Sequence, residues 1–239
     1  TVNFDGFKAL NQLNFSINVG ELRVIIGPNG AGKTTFLDVI TGKVKPTEGR
    51  ITFKQHSNLR QLSEHQIVQL GIGRKFQTPR VYLNLTVREN LQLSCHRPKT
   101  VFSALLSPPS KAARYTVQGL LETIGLVLSA DKPAQFLSHG EKQWLEIGML
   151  VAQSPDLLLV DEPVAGLTDE ETFQTGELLL SLAQSHSIIV IEHDMEFVRQ
   201  IASHVTVLHE GSVLCEGSMD SIQADPRVVE VYLGQTPEV

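Results

Sequence analysis

The chain has 239 residues, 41% of them hydrophobic and 19% charged, the balance of an ordinary globular protein with room for one large domain. A net charge of −6 without any long Lys/Arg block argues against a nucleic-acid coat and against a polybasic lipid anchor. No apolar run reaches the roughly 18 residues of a membrane span. Cys95 and Cys215 are too far apart to suggest a disulfide framework or a Cys-based zinc site, so they read as structural thiols. The opening TVNFDGFKAL lacks the regions of a secretory signal, and a start without Met reads as an incomplete N-terminus.

In chain order, NQLNFSINV from residue 11 alternates, which predicts a half-buried strand with Leu13, Phe15, Ile17 and Val19 on one face. LRVIIG reads as a short buried strand, AGKTTFLDVITG as a helix ending near Gly42, and ITFK (51–54) as a further strand. Residues 86–106 are helix-prone but broken at Pro98. SPPSKAARY (107–115) reads as a mobile surface loop. Helical spacing returns at 116–126 and 141–153. Buried strands follow at DLLLVDEP (156–163) and SIIVIEHD (187–194), separated by a helical stretch. HVTVLHEGSVLCEG closes the series as a hairpin about Glu210-Gly211. Strand–helix–strand order with continuous apolar strands predicts an α/β fold, its parallel sheet covered by helices on both faces. A helix-rich insertion occupies roughly residues 80–150, and there is no internal repeat.

Five places carry chemistry. GPNGAGKT (27–34) follows a strand and opens a helix, as a phosphate-binding P-loop must. Gly27, Gly30 and Gly32 let backbone N–H groups turn inward, and the helix N-terminus adds its positive end. Lys33 supplies a cation for the β and γ phosphates, and Thr34 a hydroxyl for Mg²⁺. Asp161 and Glu162 end an apolar strand, suited to holding Mg²⁺ through its water shell and to activating water. His193 ends a third strand at the same sheet edge, where a γ-phosphate contact is expected. The amide of Gln77 is placed to reach Mg²⁺ or the water. In LSHGEKQW (137–144), Ser138 and Glu141 have capping-box spacing, yet a bare Gly140 at a helix mouth also suits an anion.

Taken together, GPNGAGKTT, Phe76-Gln77, LSHGE, LLLVDEP, AGLTD and His193 occur in the order found in ABC-type ATPases, and the chain resembles that family over essentially its whole length. The resemblance implies a P-loop NTPase (RecA-like) core of mainly parallel sheet, with an N-terminal antiparallel β subdomain and an inserted helical subdomain. It implies a single ABC domain, with residues 1–79 and 154–239 as core plus β subdomain and 80–153 as the helical subdomain. ATP and Mg²⁺ are the implied cofactors. Gly27, Pro28, Asn29, Gly30, Ala31, Gly32, Lys33, Thr34 and Thr35 would cradle the phosphates, and Phe4, or alternatively Phe7, would stack on adenine. Thr34, Gln77 and Asp161 would serve the metal, and Glu162, His193 and Gln77 the hydrolysis.

LSHGE stands where the family has its LSGGQ signature, which faces the P-loop of a second subunit, so Ser138 and Gly140 would bind that subunit's nucleotide. His139 and Glu141 depart from the pattern. A capping box would turn Glu141 back to its own chain. Asp169 resembles the loop that crosses the dimer interface. The wording SHGEKQWLEIG and the tail VVEVYLG resemble ATPase subunits of branched-chain amino acid-type importers, and among them most the urea importer's subunit. The implied function is energising uptake of a small polar solute, urea first. A branched-chain amino acid importer, or a soluble non-transport ABC ATPase, is the alternative. The implied partners are a second ATPase subunit, alike or different, and integral membrane permeases that hold the chain at the cytoplasmic face of the membrane. Nucleic acid and direct solute binding are not expected.

Overall fold

In the computed structural model, residues 1–55, 58–75, 80–95 and 115–233 are described. Six strands form one sheet in the order β4-β5-β6-β3-β7-β8, comprising β3 (Leu22–Ile26), β4 (Ile72–Lys75), β5 (Leu157–Asp161), β6 (Ser187–Ile191), β7 (His204–His209) and β8 (Ser212–Gly217). The first five pair in parallel, and β8 returns antiparallel to β7. Strands buried on both faces need apolar residues on both, which is why β3, β5 and β6 read as near-continuous runs.

Alternate residues feed two cores. Val24, Ile26, Leu158, Val160, Ile188 and Val190 belong to one; Ile25, Leu157, Leu159, Ile189 and Ile191 belong to the other. The first core includes residues of α3 (Val87–Cys95), α4 (Val117–Thr123), α5 (His139–Val151), α6 (Asp169–Ala183), α7 (Met195–Ile201), α8 (Met219–Ala224) and α9 (Pro226–Leu233). The second includes residues of α1 (Lys33–Ile40) and α2 (Glu64–Gln69). An antiparallel pair, β1 (Val2–Phe4) and β2 (Phe7–Leu10), stands apart from the main sheet.

Two expected strands do not form. Residues 11–19 have no strand assignment, although Leu13, Phe15 and Ile17 do pack on the second core. Val19 does not join them and is fully exposed. Phe15 meets Phe36 edge-on, with centroids 5.0 Å apart. Side-chain alternation needs only one buried face, whereas a strand also needs a neighbour to complete its ladder. At 51–54 only Phe53 makes a bridge, and Lys54 lies at φ +53°. The expected helix at 86–106 is described only as α3, and most of the expected loop at 107–115 lies outside the described residues.

Candidate active site

Because β5, β6 and β3 are consecutive in the sheet and parallel, their C-terminal ends carry three loops to one edge. β3 delivers the P-loop. Gly27 and Gly32 lie at φ +156° and +98°. A Cβ at Gly27 would collide with the Leu208 carbonyl, and one at Gly32 would lie 2.6 Å from the Ala9 carbonyl oxygen. These two positions therefore need glycine for backbone and for space. α1 has no side-chain cap and no acidic residue in its first turn, leaving its N–H groups to an incoming anion. Lys33 folds over the loop, its Nζ donating to the carbonyls of Gly27 at 2.6 Å and Pro28 at 3.0 Å. Burial lowers its pKa, against the pull of Glu162 and Asp161. Thr34 is exposed and Thr35 half-buried at the helix mouth.

β5 ends at Asp161, buried, and burial raises its carboxyl pKa against the effect of Arg74. Arg74 was not marked by the sequence. Its guanidinium donates to Asp161 Oδ2 at 3.0 Å and also to Asp38 of α1, tying the acid at the strand end to the P-loop helix. Glu162 sits at φ +44°, a left-handed backbone rarely adopted by a residue with a side chain, and its N–H donates to Ile191 O at 3.0 Å. That turn brings Glu162 Oε1 within 3.7 Å of His193 Nδ1.

β6 stops at Ile191, two residues short of His193. The strand was expected to continue; the Glu192 N–H still donates to Ile25 O at 3.2 Å, while its side chain turns inward as a buried brace. Its carboxylate accepts from the N–H groups of His193 at 2.9 Å, Asp194 at 3.4 Å and Val164 at 3.3 Å. Burial raises its pKa, against those bonds. One carboxylate thus links the loop of His193 to the segment after Glu162. Its only sequence signal was an acid beside the His. Tyr232 of α9, also unmarked, has its pKa pushed up to about 12 by burial, against a smaller opposing influence of the Gly27 backbone.

The remaining expected residues divide. Phe4 and Phe7 face each other across the β1–β2 turn and are 49% and 65% exposed, so neither is a core residue. Gln77 lies outside the described residues. Ser138 caps α5 in a complete capping box: its hydroxyl accepts from the Glu141 N–H at 3.0 Å, and Glu141 Oε2 accepts from the Ser138 N–H at 2.8 Å. Glu141 is thus turned to its own chain, where Ser129 Oγ donates at 3.3 Å and Lys132 Nζ lies 4.0 Å away.

The ABC transporter family profile matches residues 10–165, and a branched-chain amino acid ATP-binding cassette transporter profile matches 212–236. The chain is 38% identical to the high-affinity branched-chain amino acid transport ATP-binding protein LivG of Escherichia coli, covering 97% of this chain and 94% of LivG. It is 35% identical to BraF of Pseudomonas aeruginosa, over 98% and 95%. Among solved structures, a nucleotide-free ATP-binding cassette superposes with TM-score 0.81 at 31% identity, over 98% of this chain and 96% of that one. A dimeric, post-hydrolysis cassette bound to ADP and Pi gives 0.70 at 26%, over 88% and 90%.

Proposed function

The chain belongs to the ABC transporter ATP-binding proteins, and from that premise we propose that it energises an importer of branched-chain amino acids. The observation that carries the catalytic part is the meeting of Glu162 and His193 at the strand edge that also carries the P-loop. ATP is the substrate. Lys33 and the α1 N-terminus receive its phosphates, and Glu162 orients and deprotonates the attacking water while His193 contacts the γ-phosphate. The Thr34 hydroxyl and the Asp161 carboxylate are the hard oxygen donors that suit Mg²⁺, which supplies charge neutralisation on the phosphates when bound. The uncapped α1 terminus and the exposed Thr34 fit both groups.

Ser138 and Gly140 contact the nucleotide of a second subunit. The helical subdomain expected at 80–153, of which 80–95 and 115–153 are described, meets the permease. Tyr82, Leu83 and Phe136 support this: they are 58%, 50% and 64% exposed, and the Gln135 N–H donates to Leu83 O beside Phe136. The relatives LivG and BraF are named for branched-chain amino acid transport, and the profile matching 212–236 bears the same description. The expected resemblance to the urea importer's subunit has no such support, so the solute is assigned to the branched-chain class. The test is uptake of labelled leucine and labelled urea by cells in which this chain is replaced by Glu162→Gln. Leucine uptake should fall and urea uptake persist, and the reverse pattern would restore the urea assignment.

A further inference from the structure

The mouth of α5 holds a carboxylate from elsewhere in the same chain. Glu171, in the first turn of α6, belongs to that helix's own capping box, and its Oε2 accepts from the Thr168 N–H at 3.2 Å and the Thr168 hydroxyl at 3.3 Å. Its other oxygen, Oε1, reaches across to α5 and accepts from the Ser138 hydroxyl at 2.9 Å. A Cβ built at Gly140 would lie 2.6 Å from both Oε1 and Cδ of Glu171, so the bare glycine leaves the space in which this carboxylate sits. Burial works against ionisation of Glu171, but bonds from Thr168, Ser138 and the Gly140 N–H outweigh it and hold its pKa below the usual carboxylate value. Two acids therefore share one helix mouth in different roles. Glu141 serves the cap backbone, and Glu171 holds the Ser138 hydroxyl and fills the space beside Gly140 that a phosphate would use.

We propose that Glu171 is an internal stand-in for phosphate, occupying Ser138 and Gly140 in the free subunit and vacating them when a second subunit presents its triphosphate. This rests on the reading of α5 as the contact made in trans. Two anions cannot share one set of donors, because each loses its bonds and repels the other. The carboxylate therefore raises the ATP concentration at which two subunits close. After hydrolysis, its return competes with the leaving phosphate and favours reopening.

Removing the charge while keeping the cap isolates the effect, since glutamine fills the same capping position. In the full chain carrying Glu162→Gln, light scattering across an ATP titration reads the midpoint of dimerisation. Adding Glu171→Gln should lower that midpoint on the order of tenfold, the scale of one charge-assisted hydrogen bond. Glu171→Ala loses the cap and melts earlier, yet should also dimerise at lower ATP than the parent. A purely structural Glu171 predicts another order, with Gln silent and Ala weakened, and that order would overturn the proposal. Binding of a fluorescent ATP analogue to the monomer separates the two readings. If it is absent, the ATPase assignment itself fails. If binding is intact and the midpoint does not change, or no dimer forms at saturating ATP, the stand-in is overturned.

Discussion

Glu162 occupies a backbone region that costs a residue with a side chain about 1–3 kcal/mol, and such strain persists where surrounding structure over-determines it. Here the bond from its N–H to Ile191 O fixes the turn that aims its side chain at His193. Glu162→Gln preserves shape while removing the proposed base, so ATP binding should remain and steady-state turnover fall by about 10²–10⁴-fold. Turnover within threefold of wild type would remove Glu162 from the chemistry. Lys33→Ala should instead weaken equilibrium binding of ATP, and unchanged binding would count against the phosphate assignment.

At α5, Glu141 already serves the Ser138 N–H and lies beside Lys132. Glu141→Gln should therefore leave hydrolysis near or above wild type. Ser138→Ala removes a cap worth about 0.5–2 kcal/mol together with the proposed phosphate hydroxyl, and should hydrolyse well below it. Melting curves on both variants distinguish stability from catalysis. Loss of hydrolysis in a normally melting Glu141→Gln would show that the carboxylate acts at the interface.

Between elements, β4 and α5 meet through a buried ion pair, with Lys75 Nζ 3.8 Å from Glu146 Oε2 and side chains 0% and 10% exposed. Glu146 Oε1 also accepts from the Arg80 N–H at 3.2 Å. Burial raises the Glu146 pKa and lowers that of Lys75, each against the attraction of the other. Breaking such a pair from one side costs about 3–5 kcal/mol, whereas neutralising both sides costs far less. Lys75→Met should thus destabilise strongly in urea unfolding, and Lys75→Met/Glu146→Gln should regain most of the loss, since glutamine keeps an acceptor for Arg80.

The single variant also strengthens a pH dependence of definite sign. A Glu whose folded pKa lies above its unfolded value near 4.5 binds more protons when native, so stability falls as pH rises through that interval. Lys75→Met raises the folded value further, and its stability deficit should be larger at pH 8 than at pH 5. An equal deficit at both would mean that Glu146 carries no unbalanced charge.

For the whole molecule, if a nucleotide is shared between two subunits as proposed, assembly becomes a readout of the site. Glu162→Gln with ATP should form a dimer in light scattering. Glu162→Gln/Gly140→Asp should remain monomeric, because the new side chain carries negative charge into the helix mouth. A persistent dimer in the double variant would exclude α5 as the contact in trans.

The sequence by itself determined the parallel core, the P-loop and the acids at the end of β5, because these depend on local rules: continuous apolar runs for strands buried on both faces, and glycines where a backbone must turn sharply. The same locality explains the Ser138–Glu141 box, whose partners are three residues apart. Only the tertiary structure decided which residues meet across the sheet and between helices. Arg74 joins Asp38 to Asp161, Glu192 braces the loop of His193 against Val164, and Glu171 reaches Ser138 across a separation of 33 residues. Periodicity correctly marked Leu13, Phe15 and Ile17 as core-facing but mistook residues 11–19 for a strand, because one-face burial leaves a short segment's strand pairing undetermined. Such contacts depend on the register and packing of elements distant in the chain, and no local pattern encodes the distance between two side chains brought together by a fold.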